Sequence, residues 1–405
     1  MISLKKIYQL SFYVVILLTF LIGGFLQFFI GVSNTGLTLL IVSILLVTYF
    51  IYAVIKRKVV FNKILLWSLV YVLVIIFSAI VNKTNFISTI IYLLFPLLPL
   101  ATFLFCYINY KENYLNPRRI FKIFYLIALI QLPIILIQNN FYEYLIDFNN
   151  SNQHVASFDF LFGSFFMKSD HSLGVFILCI ITSILLNLRS KRKPVKYPVI
   201  SVIYLGVTIF FTESNISKLF LCLLLASTII IPIYQKHKKS LVLKLMAVLF
   251  GLFIVLFAYN LRGQEFVKKK LGGVFETQYS IKTSSKQYEL GTAKRGQILI
   301  VVFNKLDIKW IGEGPYSYFN ILTGQFKKTI HFSQLIWTYF DLGLMGIMVV
   351  VGFLISILKY LEIDSGPPFY ITLLVMLVYA FYTTIFSDVS IMFAIIMIFN
   401  RKLIK

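Results

Sequence analysis

The sequence predicts an all-α protein that crosses a membrane about a dozen times. Three observations carry this reading. Charged residues make up only 13% of the 405 positions, against roughly 25% in a soluble domain. Hydrophobic residues make up 59%, and the mean hydropathy is +0.88. The apolar residues fall in runs of about 18 to 25, the length a helix needs to cross roughly 30 Å of hydrocarbon. Such runs cross as helices because each segment must satisfy its own backbone groups. The short alternating segments of a β-barrel do not occur.

The expected spans are Ile7–Ile30, Leu37–Ile55, Ile64–Val81, Phe86–Ile108, Ile120–Ile137, Ser172–Leu188, Val199–Phe211, Ile216–Tyr234, Leu241–Tyr259, Ser333–Tyr360, Phe369–Phe386 and Val389–Phe399. The first is too long and too poorly flanked for a cleaved signal peptide and reads as a retained helix. The whole chain, 1–405, reads as one integral membrane domain.

Orientation follows from where the short loops keep Lys and Arg. Lys5 and Lys6 precede the first span, and Lys56, Arg57, Lys58 and Lys63 follow the second. Lys111, Arg118, Arg119 and Lys122 follow the fourth. Arg189, Lys191, Arg192, Lys193 and Lys196 follow the sixth, and Lys236, Lys238, Lys239 and Lys244 follow the eighth. Arg401, Lys402 and Lys405 end the chain. The alternate short loops are nearly free of positive charge, which places both termini and the basic loops in the cytoplasm. The net charge of +23 is then topology plus contact with anionic lipid, and needs no nucleic acid. Lysine outnumbers arginine 30 to 8, which suits an AT-rich bacterial genome. Cys106, Cys179 and Cys222 all fall inside spans, without metal-type spacing or an obvious disulfide pair.

Two outward loops are long: Gln138–His171 and Asn260–Phe332, the second being the largest soluble piece. Long loops escape the positive-inside bias, so Lys268, Lys269, Lys270, Lys282 and Lys286 do not upset the topology. His154, His171 and His331 fall outside, and His237 in a basic cytoplasmic loop. The sequence holds no P-loop, no HExxH, no GxSxG and no DxD of the kind that binds a metal–nucleotide sugar. No cofactor and no metal are therefore expected. An enzyme built this way is not driven by ATP, and its substrates are lipid-borne or reach the outer face by themselves.

The second long loop carries Lys294-Arg295-Gly-Gln ahead of the apolar run Ile298–Phe303. Then come Trp310-Ile-Gly-Glu-Gly-Pro-Tyr-Ser-Tyr-Phe319 and His331-Phe-Ser-Gln-Leu335, leading into Asp341-Leu-Gly343 and Gly346. The Gly312/Gly314/Pro315 turn, next to Ser317, lets backbone approach a ligand closely. A plain surface turn reads the same way, His331 also reads as a polar helix start, and Arg295 as a solvated helix charge.

Taken in order, these features resemble the bacterial O-antigen and capsular polysaccharide repeat-unit polymerases, with which the O-antigen ligases share a layout. Phe211-Thr-Glu-Ser-Asn-Ile-Ser-Lys-Leu219 looks like that family's Thr-x-Ser-Arg segment between two spans. Asn215 stands where the family has arginine, with Lys218 one helical turn on. Phe332 stands where the family often has Asn, and the gap from His331 to Asp341 is one residue longer. The resemblance covers roughly Ser172 to Gly346, and the architecture it implies is similar to that of the C-type membrane glycosyltransferases. It implies a glycan donor on a polyprenyl diphosphate, a second polyprenyl-linked repeat unit as acceptor, and a glycosidic bond formed at the outer face. Partners would be the lipid-linked oligosaccharide, membrane lipid and a chain-length regulator. Arg295 would grip the diphosphate with its planar fork, with Lys218 and Arg262 as further cations. His331 would exchange the proton of the attacking hydroxyl, with Glu213 as a rival base. Gly312, Gly314 and Ser317 would line the substrate.

A transporter or lipid-linked oligosaccharide flippase is the reading from another class, since twelve spans with both ends inside is also a carrier layout. Against it stand the long loop before the tenth span and the lack of an internal repeat. An O-antigen-type ligase shares the same motifs.

Overall fold

A computed structural model describes residues 3–57, 62–153, 155, 160–167, 170–186, 194–212, 214, 216–225, 302, 309–326, 333–360, 376–377, 379–380, 384–386 and 388–398. The regular elements among these residues are helices. In chain order the main ones are α1 (Leu4–Leu21), α2 (Asn34–Lys56), α3 (Lys63–Val81), α4 (Phe86–Glu112), α5 (Pro117–Asn140) and α6 (Asp170–Leu186). They continue with α7 (Pro198–Phe211), α8 (Ile216–Leu225), α9 (Ser317–Phe326), α10 (Gln334–Tyr360) and α11 (Val389–Ile398). Six of them, α1 to α5 and α10, are long and apolar enough to cross a membrane. Large apolar side chains such as Leu10, Val54, Leu73, Ile80, Phe86 and Ile203 stay exposed on the helix faces. That surface suits lipid and not water.

The helices start where the sequence supplies a cap. Asn62 Oδ1 accepts the amides of Ile64 and Leu65 at 3.1 and 3.0 Å. Asn116 caps α5 through the amide of Arg118 at 2.9 Å, ahead of Pro117. Each uses an amide left unpaired by the helix itself. α2 and α4 end on Arg57 and Asn113, both with left-handed backbone.

The expected spans from the second to the sixth match α2 to α6 within a few residues. The seventh, tenth and twelfth match α7, α10 and α11. The eighth is seen over Ile216–Leu225. The ninth, Leu241–Tyr259, lies outside the described residues, as does most of the eleventh. The first differs. Ile7–Ile30 is not one continuous α-helix: the turn Leu17–Leu21 widens, with Ile22 N bonding Leu17 O at 2.9 Å, and the helix restarts at Gly23.

The cause of that break is tertiary. Residues 160–167 of the first long loop fold into the bundle as irregular backbone. Ser164 Oγ donates to Phe20 O at 2.6 Å, inside the widened turn. Three buried amide side chains hold the segment. Gln131 Oε1 accepts Ser164 N at 3.0 Å. Gln138 bonds Gly163 twice, through N at 2.9 Å and O at 2.8 Å. Gln27 Oε1 accepts Met167 N at 2.7 Å. Non-helical backbone at such depth is tolerated only where protein satisfies it. Below the plug Phe20, Phe124, Phe165, Phe176 and Phe393 nest, with Phe20 ring centroids 5.2 to 5.5 Å from Phe176, Phe165 and Phe124. They join α1, α5, α6 and α11 into one core.

After Gly343 α10 runs antiparallel to α3, from Asp341 beside Ser78 at one end to Gly352 over Trp67 nearer the other. Lys56 and Lys63 sit at the opposite end of the bundle from Asp341. There Lys56 pairs with Glu112 at 3.2 Å, and Gln9 Nε2 reaches Tyr114 O at 3.0 Å.

Candidate functional site

Two structures carry the residues singled out in the sequence. The first is a break in α10. Gly343 has φ +69° and ψ −157°, a conformation open essentially to glycine alone, and it splits the helix after Leu342. The break exposes carbonyls and amides within the bundle, and residues 309–318 dock there to satisfy them. Glu313 N donates to Phe340 O at 2.8 Å and Gly314 N to Asp341 O at 3.0 Å. In return Leu344 N and Met345 N donate to Lys309 O and Trp310 O, at 3.0 and 3.2 Å. Asp341 Oδ1 accepts Tyr318 N at 2.7 Å, so the carboxylate caps α9. From α3, Ser78 Oγ donates to Asp341 O at 3.1 Å and Asn82 Nδ2 to Gly312 O at 3.0 Å.

The close approach expected of Gly312 and Gly314 is therefore made to α10 and α3. A Cβ on Gly312 would lie 2.3 Å from Phe340 O. One on Gly314 (φ +102°) would lie 2.3 Å from Thr84 Oγ1. Ser317 spends its hydroxyl on Glu313 O at 2.8 Å, inside the same turn. Lys309 and Glu313 form an ion pair on its rim. Burial next to Asp341 pushes the Tyr318 phenol up, so it stays a neutral hydroxyl at any ordinary pH.

The second structure is the meeting of four helix starts inside the bundle. His171 opens α6, and its Nδ1 is 2.8 Å from Ser214 Oγ, just ahead of α8. Ser214 Oγ lies 2.6 Å from Ser217 Oγ, which lies 2.8 Å from Tyr379 OH. Ser214, Ser217 and Tyr379 are buried and His171 is half-buried. Next to His171, Ser172 Oγ donates to Asp388, which caps α11 by accepting Ser390 N at 2.8 Å. Two residues before Asp388, Phe386 N donates to Gln334 Oε1 at 2.8 Å, at the start of α10. Gly174 lets α8 come this close: a Cβ there would lie 2.0 Å from Ser217 Oγ. Helix N-termini carry partial positive charge and favour an anion, and Asp388 is one such anion already among them.

Of the residues expected to act, Lys218 is half-buried on the first turn of α8, its N donating to Ser214 O at 3.1 Å. Arg295, His331, Glu213 and Arg262 lie outside the described residues. Gln334, three positions after His331, is in the helix-start cluster. The Thr212–Lys218 segment belongs to the same cluster through Ser214 and Ser217. The sequence reading missed His171 as a site residue, along with Tyr379 and Asp388. Asp388 ahead of the apolar run Val389–Ile398 has the form of a helix cap, a signal that was there to use. Tyr379 offers no comparable signal. Among the described residues no group of three or more His, Cys, Asp and Glu is arranged to hold a metal.

Compared with protein-family models and with curated proteins, the chain matches none.

Proposed function

We propose that this chain is a membrane glycosyltransferase that polymerises polyprenyl-diphosphate-linked oligosaccharide repeat units into a surface polysaccharide. It would work at the outer face of the bacterial cytoplasmic membrane, on about twelve spans with both termini inside. The observation that carries this reading is the meeting of Ser214 and Ser217 of the Thr212–Lys218 segment, His171 and the start of α10 in one cluster of helix starts. Ser214 and Gln334, more than a hundred residues apart in the chain, both belong to this cluster of helix starts, and helix N-termini favour an anion.

The chemistry follows from that anion. The acceptor hydroxyl attacks the anomeric carbon, the carbon–oxygen bond to the diphosphate breaks, and the diphosphate leaves with the electron pair. The hydroxyl proton passes to His331, with His171 and Glu213 as the alternative bases. Arg295 and Lys218, with the helix amides, stabilise the charge growing on the diphosphate. Departure of the diphosphate from the anomeric carbon supplies the driving force, so neither nucleotide nor cofactor enters. Arg262 would add a further cation from the loop Asn260–Phe332, while Gly312, Gly314 and Ser317 belong to the segment docked on α10.

The reading is tested on purified protein supplied with lipid-linked repeat units, reading the ladder of polymer lengths. Arg295→Lys keeps the charge and loses the fork, so it should slow chain growth severely. His331→Ala should abolish growth at a normal protein level. Wild-type ladders from both variants would remove the assignment and leave a transporter or flippase as the leading reading. The broken α10 with its buried Asp341 is the feature that favours that second reading.

A further inference from the structure

The break in α10 holds more polar atoms than the protein itself pairs. Asp341 is fully buried, and while its Oδ1 takes Tyr318 N, its Oδ2 has no partner among the described residues. Thr338 Oγ1, one turn earlier, is likewise buried and unpaired, as are the hydroxyls of Tyr71 on α3 and Tyr92 on α4. Tyr71 and Tyr92 lie near enough to Thr338 and Asp341 to interact with them, although none of these oxygens closes a hydrogen bond of regular geometry with another. Four oxygens from three helices thus converge, each costly to leave unsatisfied in a dry interior.

An ionised Asp341 would also stand without a counter-charge from the protein. Among the described residues no Lys or Arg pairs with Asp341, and the ammonium of Lys309 is committed to Glu313. Asp341 stands at the C-terminal end of the first half of α10, the negative end of that segment. An anion is disfavoured there and a cation favoured. The backbone carbonyls of Phe340 and Asp341 are taken by Glu313 N, Gly314 N and Ser78 Oγ, which leaves the side-chain oxygens to do the binding.

We propose that the break in α10 is a binding site for a monovalent hard cation of the Na⁺ kind, held by Asp341 Oδ2, Thr338 Oγ1 and the hydroxyls of Tyr71 and Tyr92. An all-oxygen set selects a hard ion. A single carboxylate balances one positive charge, and a divalent ion would leave net charge buried. With the ion on Oδ2 and Tyr318 N on Oδ1, Asp341 fastens the docked segment 309–318 to α10. Ion binding therefore stabilises that docking. The inference does not depend on the polymerase reading.

The test is direct binding of ²²Na⁺ to the purified full chain in lipid nanodiscs, together with its thermal unfolding in NaCl against choline chloride at equal ionic strength. Wild type should bind ²²Na⁺ saturably and unfold at a higher temperature in NaCl. Asp341→Asn should lose both effects. Thr338→Val, which keeps the shape, should weaken binding about tenfold, the scale of one lost contact, and serves where Asp341→Asn does not accumulate. No saturable binding to wild type, or binding unchanged by Asp341→Asn or Thr338→Val, would overturn the proposal. The oxygens would then close on a water or on one another. No polymer is read in this assay, so its failure is distinct from failure of the polymerase reading.

Discussion

His171 and Ser214 meet through a 2.8 Å hydrogen bond between the ring Nδ1 and Oγ, joining the start of α6 to the turn before α8. Ser217 and Tyr379 continue the chain of hydroxyls behind it, which fixes the plane of a half-buried ring. In the proposed reaction His171→Ala should slow chain growth about 100-fold, within the range of a positioned acid–base group. Ser214→Ala should cost about 1 kcal/mol in the rate-limiting barrier through a less fixed ring. Rates of ladder growth at matched protein levels decide it. A wild-type rate for His171→Ala would reduce this histidine to a structural partner of the turn.

Gly343 is the hinge on which residues 309–318 dock. Its backbone conformation excludes a side chain, and a Cβ there would lie 2.5 Å from Trp310 O. Gly343→Ala should destabilise the protein by at least about 2 kcal/mol. Thermal unfolding of the purified variant reads this out, and a melting temperature equal to wild type would mean that α10 runs unbroken.

The amide hooks of the plug make a separate prediction. Gln138→Met removes both bonds to Gly163 and leaves a buried N–H and C=O unpaired. The expected loss is about 1–3 kcal/mol for each group left unsatisfied. Gln131→Met should act similarly through Ser164 N. Limited proteolysis should then cut near residues 160–167 in the variants and spare wild type. Equal resistance in all three would sink the plug as described.

These contacts also show what was legible in the sequence. Helix positions were, because an apolar run bounded by Asn62, Asn116 or Arg57 needs no distant partner to be read. The break at Ile22 was not, because it depends on Ser164 reaching Phe20 O across 144 residues of chain. Gln27 and Gln131 fall inside expected spans and Gln138 at the start of the first long loop, and only the folded loop gives them partners. Gly343 and Gly312 were visible as small residues. That one breaks a helix and the other fills the break is a pairing no local pattern encodes. His171 was legible as an outward histidine, and its attachment to Ser214 was not.

Topology is open to direct measurement. Single cysteines at positions 191 and 238 should resist an impermeant label on intact cells, and one at 286 should react, because the basic short loops belong to the cytoplasm. The reverse pattern would put the helix-start cluster on the wrong face for a lipid-linked donor.

Purified protein incubated with polyprenyl-diphosphate-linked repeat units, without nucleotide and with EDTA present, gives the most direct measurement. A growing ladder of polymer lengths, with polyprenyl diphosphate released at each step, is the predicted result. Two outcomes would contradict it. One is a ladder lost in EDTA and restored by Mg²⁺ or Mn²⁺, which would place a metal where cationic side chains are proposed. The other is no ladder under any metal condition, with unextended repeat units crossing the bilayer of reconstituted vesicles.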